Sequence, residues 1–190
     1  MLYEKNEKSI VYRKKRYAVD FSFNSILDCM EIMDDGKLAD VDKMDLMAWR
    51  LFRHRVSNRK ITPLLQAVFA AIRPEKRDTG KKVLDLEQDK EYIKAGFRQA
   101  YKVDLQKEFG RLHWKDFLGM LEALPSDTKM AEIVSIRTQP VPKSTKYNHE
   151  QVAALLRAKR AVALKEPKKS DVGKQFSGMF DMLKQNAKGR

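Results

Sequence analysis

The chain contains few of the residues that form disulfides, metal sites or catalytic clusters. Its 190 residues include one cysteine, Cys29, and three histidines. A single cysteine excludes an intrachain disulfide and a cysteine-cluster metal site. The histidines, His54, His113 and His149, lie in separate predicted elements without cysteines or carboxylates at metal-ligand spacing. We therefore predict no metal site, and we interpret Cys29 as a small buried hydrophobic side chain rather than a reactive thiol.

Glycine-rich loops, nucleophile motifs and long apolar runs are also missing. The eight glycines are scattered, so none forms a phosphate-binding loop, and no serine stands in a nucleophile elbow. No run approaches the ~20 apolar residues of a membrane span, and residues 1–9 lack the apolar region of a signal peptide. We therefore predict a soluble protein of a reducing cytoplasm, with no catalytic residue, no cofactor and no membrane partner, and not an enzyme.

Two groups of polar residues have a simpler explanation than catalysis. His113, beside Trp114 at a predicted helix start, fits a buried, hydrogen-bonded histidine better than a general base. Glu87, Asp89 and Glu91 fall in the first turn of a predicted helix, where carboxylates interact favourably with the helix dipole. Neither group therefore requires acid–base chemistry.

The charge is strongly basic and unevenly distributed. Lysine and arginine total 39 against 26 acidic residues, a net charge of +13. Arg157 and the residues after it hold many of the lysines and arginines and few acids. A basic tail can bind nucleic acid, can bind an acidic partner, or can keep the protein soluble, and the sequence leaves these alternatives open.

Residues 9–20 predict a β-hairpin. Ile10 and Tyr12 alternate with polar residues on one side of a basic turn, and Tyr17 and Val19 do so on the other. The turn, residues 13–16, reads Arg-Lys-Lys-Arg; it could contact phosphates, but solvated charge is also normal at a hairpin tip. A two-stranded hairpin is marginal alone, so we expect it to lie against helices.

Apolar residues at helical spacing predict seven helices between residues 24 and 164. In the fifth, Trp114, Phe117, Leu118, Leu121 and Leu124 follow offsets of 0, 3, 4, 7 and 10, which is the repeat of one buried face. The predicted starts are about Asn24, Asp40, Pro63 (with Thr62 as its cap), Asp85 or Leu86, about His113, the residue after a Ser126 or Asp127 cap, and about His149.

Two residues within these helices carry specific expectations. Val41, on the second helix, is assigned to the buried face together with Met44, Ala48 and Leu51. Gly96, inside the fourth helix, costs roughly 1 kcal/mol against alanine, so we expect another helix to cross closely there.

The predicted fold class is mainly α, a multi-helix bundle with an N-terminal β-hairpin and a basic C-terminal tail. The predicted boundaries are 1–23 for the hairpin packed on the bundle, 24–138 for the helical core domain, 139–164 for a C-terminal helix, and 165–190 for a basic flexible tail. Within the tail, Phe176, Met179, Phe180 and Leu183 have offsets of 0, 3, 4 and 7. This spacing fits a segment that folds on a partner, or a frayed helix packed on its own domain.

The middle of the chain also carries a family resemblance. The run DLEQDKEYIKAGFRQAYKVDL, followed by LHWKDFLGMLEALPSDTKMAEIVSIRT, resembles the bacteriophage family called gene product fifteen. The positions that match the pattern of that family are Asp89, Tyr92, Ile93, Phe97, Tyr101, Asp104, Leu105, Leu112, His113, Trp114, the turn from Leu124 to Thr128, and the ending from Ile133 to Arg137. The N-terminal run YAVDFSFNSILDCMEIMDD matches more loosely.

The resemblance implies a role in phage tail morphogenesis. Such proteins resemble tail assembly chaperones, so the implied partners are the tape-measure protein and the tail-tube protein, met in the host cytoplasm. The partner-binding residues would be Phe176, Met179, Phe180 and Leu183, with the exposed sides of the fourth to sixth helices. Two alternatives remain: a structural virion protein, such as a connector or tail-completion protein, and a basic nucleic-acid-binding module.

Overall fold

A computed structural model of the chain describes residues 8–72 and 83–165. The described residues form two strands and seven helices, so the prediction of a mainly α fold with an N-terminal hairpin is confirmed. The elements are β1 (Ser9–Tyr12), β2 (Lys15–Ala18), α1 (Phe23–Asp34), α2 (Asp40–Phe52), α3 (Asn58–Ile72), α4 (Lys90–Tyr101), α5 (Trp114–Glu122), α6 (Lys129–Thr138) and α7 (His149–Ala161).

The hairpin has a tighter turn than the sequence predicted. Tyr12 pairs with Lys15, so the turn is the two residues Arg13 and Lys14, and Lys15 already belongs to β2. Arg13 and Lys14 have φ values of 47° and 63°, the conformation of the two-residue turn whose twist matches that of antiparallel strands. Ile10 and Tyr17 pair across the strands and are both buried, and β1 packs on α3 as expected.

The described residues divide into two compact units. The first contains residues 8–72 and 108–119, and the second contains residues 83–107 and 120–165. In the first unit α1 packs on α2, and α2 packs on α3. The apolar side chains of this unit with no exposed surface are Ile26, Cys29, Met47, Leu51, Leu64, Leu65, Val68, Phe69 and Trp114. The core of the first unit is therefore built from the apolar stripes of its helices.

Two predictions about α2 and α3 are wrong. Val41 is 55% exposed, whereas Met44, Met47 and Leu51 of α2 are buried, so Val41 does not belong to the buried face. The helix α3 begins at Asn58 rather than at Pro63, so Thr62 is not its cap. Pro63 lies inside the helix, where its missing N–H leaves the carbonyl of Arg59 without its usual partner; Arg59 is an exposed residue.

In the second unit α4 packs on α6, and α6 packs on α7. The helix α4 begins at Lys90, four or five residues later than predicted, because Asp85 organises a preceding turn by accepting the N–H groups of Glu87 and Gln88 at 3.0 and 2.7 Å. The helix α6 is capped by Thr128, whose Oγ1 accepts the N–H of Ala131 at 3.3 Å. The prediction that Ser126 or Asp127 caps this helix is therefore wrong.

Gly96 is closely approached, but by Leu124, in the loop after α5, rather than by the crossing helix that we expected. A Cβ atom at Gly96 would lie 3.3 and 3.4 Å from the two methyl carbons of Leu124, and 3.9 Å from the Cβ of Met130 on α6. Gly96 is buried, and its missing side chain leaves room for Leu124 to pack against α4. The absence of a side chain at this position therefore has a packing reason.

Some predictions fall outside what the structure describes. Residues 166–190 lie beyond the described part, and they include Phe176, Met179, Phe180 and Leu183. The boundaries proposed for the hairpin, core domain, C-terminal helix and tail stay a prediction. Among the described residues, no helix has the length and apolar character that crossing a membrane requires.

Candidate interaction surface

Asp89 and Arg137 form a buried ion pair in the second unit. The Nη1 and Nη2 groups of Arg137 donate to Oδ2 and Oδ1 of Asp89 at 2.6 and 2.8 Å, which is the two-pronged geometry that a guanidinium and a carboxylate share. The side chain of Arg137 is 8% exposed, and that of Asp89 is 1% exposed. Asp89 precedes α4 and Arg137 lies in the last turn of α6, so the pair joins the start of one helix to the end of another.

Arg137 also forms hydrogen bonds with three other residues of the second unit. Its Nη1 donates to the carbonyl of Val83 at 3.0 Å, and its Nε donates to the carbonyl of Val162, just after α7, at 2.7 Å. The backbone carbonyl of Arg137 accepts Nζ of Lys159 at 2.8 Å. One arginine thereby connects the segment before α4 with α6 and α7, and Asp89 compensates its charge.

The other matching positions of the second unit are mostly packing residues. Ile93, Phe97 and Leu105 are buried, and the Tyr101 hydroxyl donates to the carbonyl of Met120 at 2.8 Å. Asp104 accepts the N–H of Gln106 and two hydrogen bonds from Arg98, and these contacts lower the pKa of its carboxyl. Tyr92 differs, because 43% of it is exposed.

Leu112, His113 and Trp114 are held against the segment before α1 in the first unit. Phe23 donates its N–H to the carbonyl of Leu112 at 3.0 Å, and Trp114 donates its N–H to the carbonyl of Phe21 at 2.8 Å. The Trp114 ring stacks on Phe117 at 5.6 Å between centroids and has no exposed surface. These residues therefore fix residues 108–119 to the chain between β2 and α1.

His113 is buried at the start of α5. Its ring lies 5.6 Å from that of Phe21, and its Nδ1 accepts the N–H of Lys115 at 3.2 Å. Because Nδ1 accepts this bond, the neutral ring carries its proton on Nε2. His113 thus closes the first turn of α5, which is the structural role assigned to it from the sequence. Cys29 is likewise fully buried, and burial raises the pKa of its thiol.

Asp20 forms a second charged cluster, at the end of α2 in the first unit. Its Oδ2 accepts Nε of Arg53 at 3.1 Å and Nη1 of Arg50 at 3.4 Å, and its Oδ1 accepts the N–H of Ser22 at 3.0 Å. Burial raises the pKa of this carboxyl, but the hydrogen bonds from Ser22 and Arg53 outweigh that effect and hold it at about 2. The cluster anchors residues 20–22 to the end of α2.

A model of the family described as Bacteriophage Gp15 protein matches residues 4–164. The chain belongs to this family. It is therefore a virion-related bacteriophage protein, and the resemblance found in the sequence is confirmed. No curated protein and no solved structure matches the chain.

The residues that carry the Gp15 resemblance mostly support the fold. Asp89 and Arg137 meet, and Leu112, His113 and Trp114 share one segment, but most of the set is buried or half-buried and offers little surface to a partner. Among the described residues, no group of three or more histidines, cysteines and carboxylates could hold a metal ion.

The exposed sides of α4 and α6 are polar, although they were predicted to contribute to a binding surface. Ion pairs join Lys94 to Glu91 at 2.9 Å and Lys129 to Glu132 at 2.9 Å. Of the large apolar side chains on α4, α5 and α6, only Tyr92 is exposed, at 43%. These helices therefore offer few apolar contacts to a partner.

The helix α2 has an exposed apolar side that sequence reasoning missed. Trp49 is 68% exposed, Val41 55% and Leu46 44%. Asp42 and Asp45 are exposed on the same side. We call these five residues the α2 face; it lies inside the Gp15 match, whereas residues 176–183 lie beyond its end. The sequence signal was the spacing of Val41, Asp45 and Trp49 at offsets of 0, 4 and 8, a second stripe beside the buried one.

Proposed function

We propose that this Gp15-family protein is a tail assembly chaperone that binds the tape-measure protein of its phage and recruits tail-tube subunits in the host cytoplasm. Family membership supports a phage role, and the α2 face supports binding to an apolar partner. The proposed role consists of binding, without any bond being made or broken.

The exposure of Trp49 is the observation that carries this proposal. Aromatic residues are enriched where proteins bind one another, because a large, stiff side chain buries much area at a small cost in entropy. A tape-measure helix with an apolar stripe would cover Trp49, Leu46 and Val41, as an amphipathic helix covers a groove. Phe176, Met179, Phe180 and Leu183 offer a second apolar stripe for the same purpose.

Co-expression with the tape-measure protein of the same phage tests the proposal. We expect the chain to keep that protein in the soluble fraction, and we expect the double variant Leu46→Ser, Trp49→Ser to lose most of this effect. The matched control is Lys90→Ser, Glu91→Ser on exposed polar positions of α4. If the tape-measure protein is equally insoluble with and without the chain, the chaperone proposal fails.

Purified phage particles separate this role from that of a structural virion protein. A chaperone is absent from finished particles, whereas a connector or tail-completion protein is recovered from them in stoichiometric amount. Quantitative mass spectrometry of particles therefore decides between the two roles. Recovery at a fixed ratio to the tail-tube protein would favour the structural role.

The hairpin tip favours nucleic-acid binding as a second candidate function. Arg13, Lys14, Lys15 and Arg16 are all exposed there. Contacts of this kind with phosphates would make affinity for DNA fall steeply as salt rises, because each contact releases counterions. Titration of DNA at two salt concentrations tests this candidate, with Arg13→Gln, Lys14→Gln as the variant that should reduce the salt dependence.

A further inference from the structure

The α2 face is an exposed apolar surface with carboxylates inside it. Trp49 is 68% exposed and Leu46 is 44% exposed. At about 100° per residue, Asp45 falls between Val41 and Trp49 around the helix. Asp42 falls between Trp49 and Leu46 on the same basis. The two carboxylates therefore lie on either side of the exposed tryptophan.

The carboxylates of the α2 face have no partner among the described residues. Neither Asp42 nor Asp45 forms an ion pair or a side-chain hydrogen bond with any residue in 8–72 or 83–165. The cations of α2 itself are bound to α1, since Nζ of Lys43 donates to a backbone carbonyl of that helix at 2.9 Å and Nε of Arg50 donates to Asp28 at 2.5 Å. Within the described part of the chain, the two carboxylates thus remain available for cations of another molecule.

The hairpin tip, residues 13–16, has the complementary chemistry. All of its side chains are basic and exposed, and residues 8–19 contain no acid. Val11 pairs with Arg16 across the hairpin and is 64% exposed, so an apolar side chain lies beside the cations. None of the ion pairs between described residues includes a residue of the tip. The tip is therefore basic and partly apolar, whereas the α2 face is acidic and apolar.

The charges of the first unit are separated along the chain. Residues 8–19 carry only lysine and arginine among their charged side chains, whereas residues 28–45 are mainly acidic. The acids of residues 28–45 are Asp28, Glu31, Asp34, Asp35, Asp40, Asp42 and Asp45. Because the whole chain has a net charge of +13, two copies repel each other in most orientations. A contact between the hairpin tip and the α2 face would instead bring opposite charges together, and like charges would disfavour other arrangements.

We propose that the hairpin tip of one copy of this protein docks on the α2 face of a second copy. Cations of the tip would pair with Asp42 and Asp45, an arginine of the tip would lie over the Trp49 ring, and Val11 would add an apolar contact. Because the two surfaces differ, the contact is head-to-tail and can continue into a ring or a chain of copies.

This self-association goes beyond the proposed function and does not rest on it, since it concerns the chain without any other protein. The two are nevertheless connected through Trp49, which both contacts would cover. A tape-measure helix that binds the α2 face would displace the hairpin of the neighbouring copy.

The proposed contact is small and electrostatic, so it should be weak and sensitive to salt. A helix face of two turns and a hairpin tip bury less than about 1,200 Å² in total, which is typical of transient contacts. The range of electrostatic attraction falls from about 10 Å at about 0.1 M salt to about 3 Å at about 1 M salt. The association constant should therefore fall at least about tenfold between these two conditions, whereas a purely apolar contact would not weaken.

Sedimentation equilibrium of the full-length chain, freed of nucleic acid, measures this association. The variant Asp42→Lys, Asp45→Lys and the variant Arg13→Glu, Lys14→Glu, Arg16→Glu should each stay monomeric at concentrations where the unchanged chain associates. Mixed in equal amounts, the two variants should associate again, because every head-to-tail contact between them joins opposite charges. Loss of folding in either variant could not produce this recovery.

The matched control is Glu122→Lys, Asp127→Lys, which makes the same change of charge at exposed acids of the second unit. It should associate as the unchanged chain does. An unchanged chain that stays monomeric at low salt would overturn the proposal, and so would a mixture of the two variants that fails to associate. Every measurement uses this chain alone, so its failure is distinguishable from failure of the co-expression experiment.

Discussion

Asp89 and Arg137 are 48 residues apart in the sequence, and they form a two-pronged ion pair that is almost completely buried. Burying two charges costs solvation, so such a pair contributes little net stability compared with apolar residues of the same size. Removing one partner of the pair lowers the stability strongly, because the partner that remains is left charged and buried. The family motif thus includes two residues that depend on each other.

Replacing Arg137 by glutamine should destabilise the protein by about 3 to 5 kcal/mol, because Asp89 would keep a buried charge without its partner. The matched control is Arg98→Gln, which removes an exposed arginine from Asp104 and should cost less than about 1 kcal/mol. Urea unfolding followed by circular dichroism gives both values. Similar losses for the two variants would contradict the structural role of Arg137.

Lowering the pH should reduce the stability of the fold by protonating Asp20. Its folded pKa is about 2, below the usual 3.8, so its stabilising contribution is complete above pH 4 and is lost as the pH falls towards 2. The expected loss is roughly 1 to 2 kcal/mol, since one unit of pKa corresponds to 1.36 kcal/mol and the site is partly solvated. The free energy of unfolding, measured from pH 2 to 5, should therefore fall more for the unchanged chain than for Asp20→Asn. Parallel curves would show that Asp20 does not contribute in this way.

Gly96 should tolerate alanine but not valine. An added Cβ would lie 3.3 Å from a Leu124 methyl carbon, which can shift by a few tenths of an ångström, and helix propensity gains about 1 kcal/mol. Gly96→Ala is therefore expected to be nearly neutral, whereas Gly96→Val should cost about 1 to 3 kcal/mol.

The control for Gly96 is Gly119 in α5, where an added Cβ meets nothing within 4 Å. Gly119→Ala should stabilise the protein by about 1 kcal/mol in the same unfolding measurement. The double variant Gly96→Val, Leu124→Ala should lose less stability than the two single losses added together, because alanine at 124 makes room for the valine. Strict additivity would mean that the two residues are not in contact.

The sequence predicted the helices well because each buries one apolar stripe, and the stripe is visible without any knowledge of neighbours. It predicted a close approach at Gly96 for a similarly local reason, the cost of glycine inside a helix. It could not predict the pairing of Asp89 with Arg137, because no spacing rule connects residues that far apart. Asp89 was interpreted through the helix dipole, and only the fold brings Arg137 to it.

The errors on α2 and α3 have a different cause. On α2 two apolar stripes run side by side, and Val41 lies near the border between them, so only packing decides which stripe is buried. On α3 the Thr62–Pro63 pair is a good start signal, but the helix continues backwards for five residues before Pro63. A helix tolerates proline in its first turn. It also tolerates proline just beyond that turn when the carbonyl group that lacks its usual N–H donor is exposed and can bind water.

The hairpin turn offers a change that should stabilise the protein. Arg13 and Lys14 both have positive φ, a conformation that costs most side chains about 1 kcal/mol and that asparagine and glycine adopt readily. The variant Arg13→Asn, Lys14→Gly should therefore raise the free energy of unfolding by about 1 kcal/mol. Lys15→Gly, one residue further along in β2, should lower it instead, because glycine weakens a strand. Thermal unfolding of the three proteins measures both effects, and a loss of stability in the Arg13→Asn, Lys14→Gly variant would argue against a two-residue turn at this position.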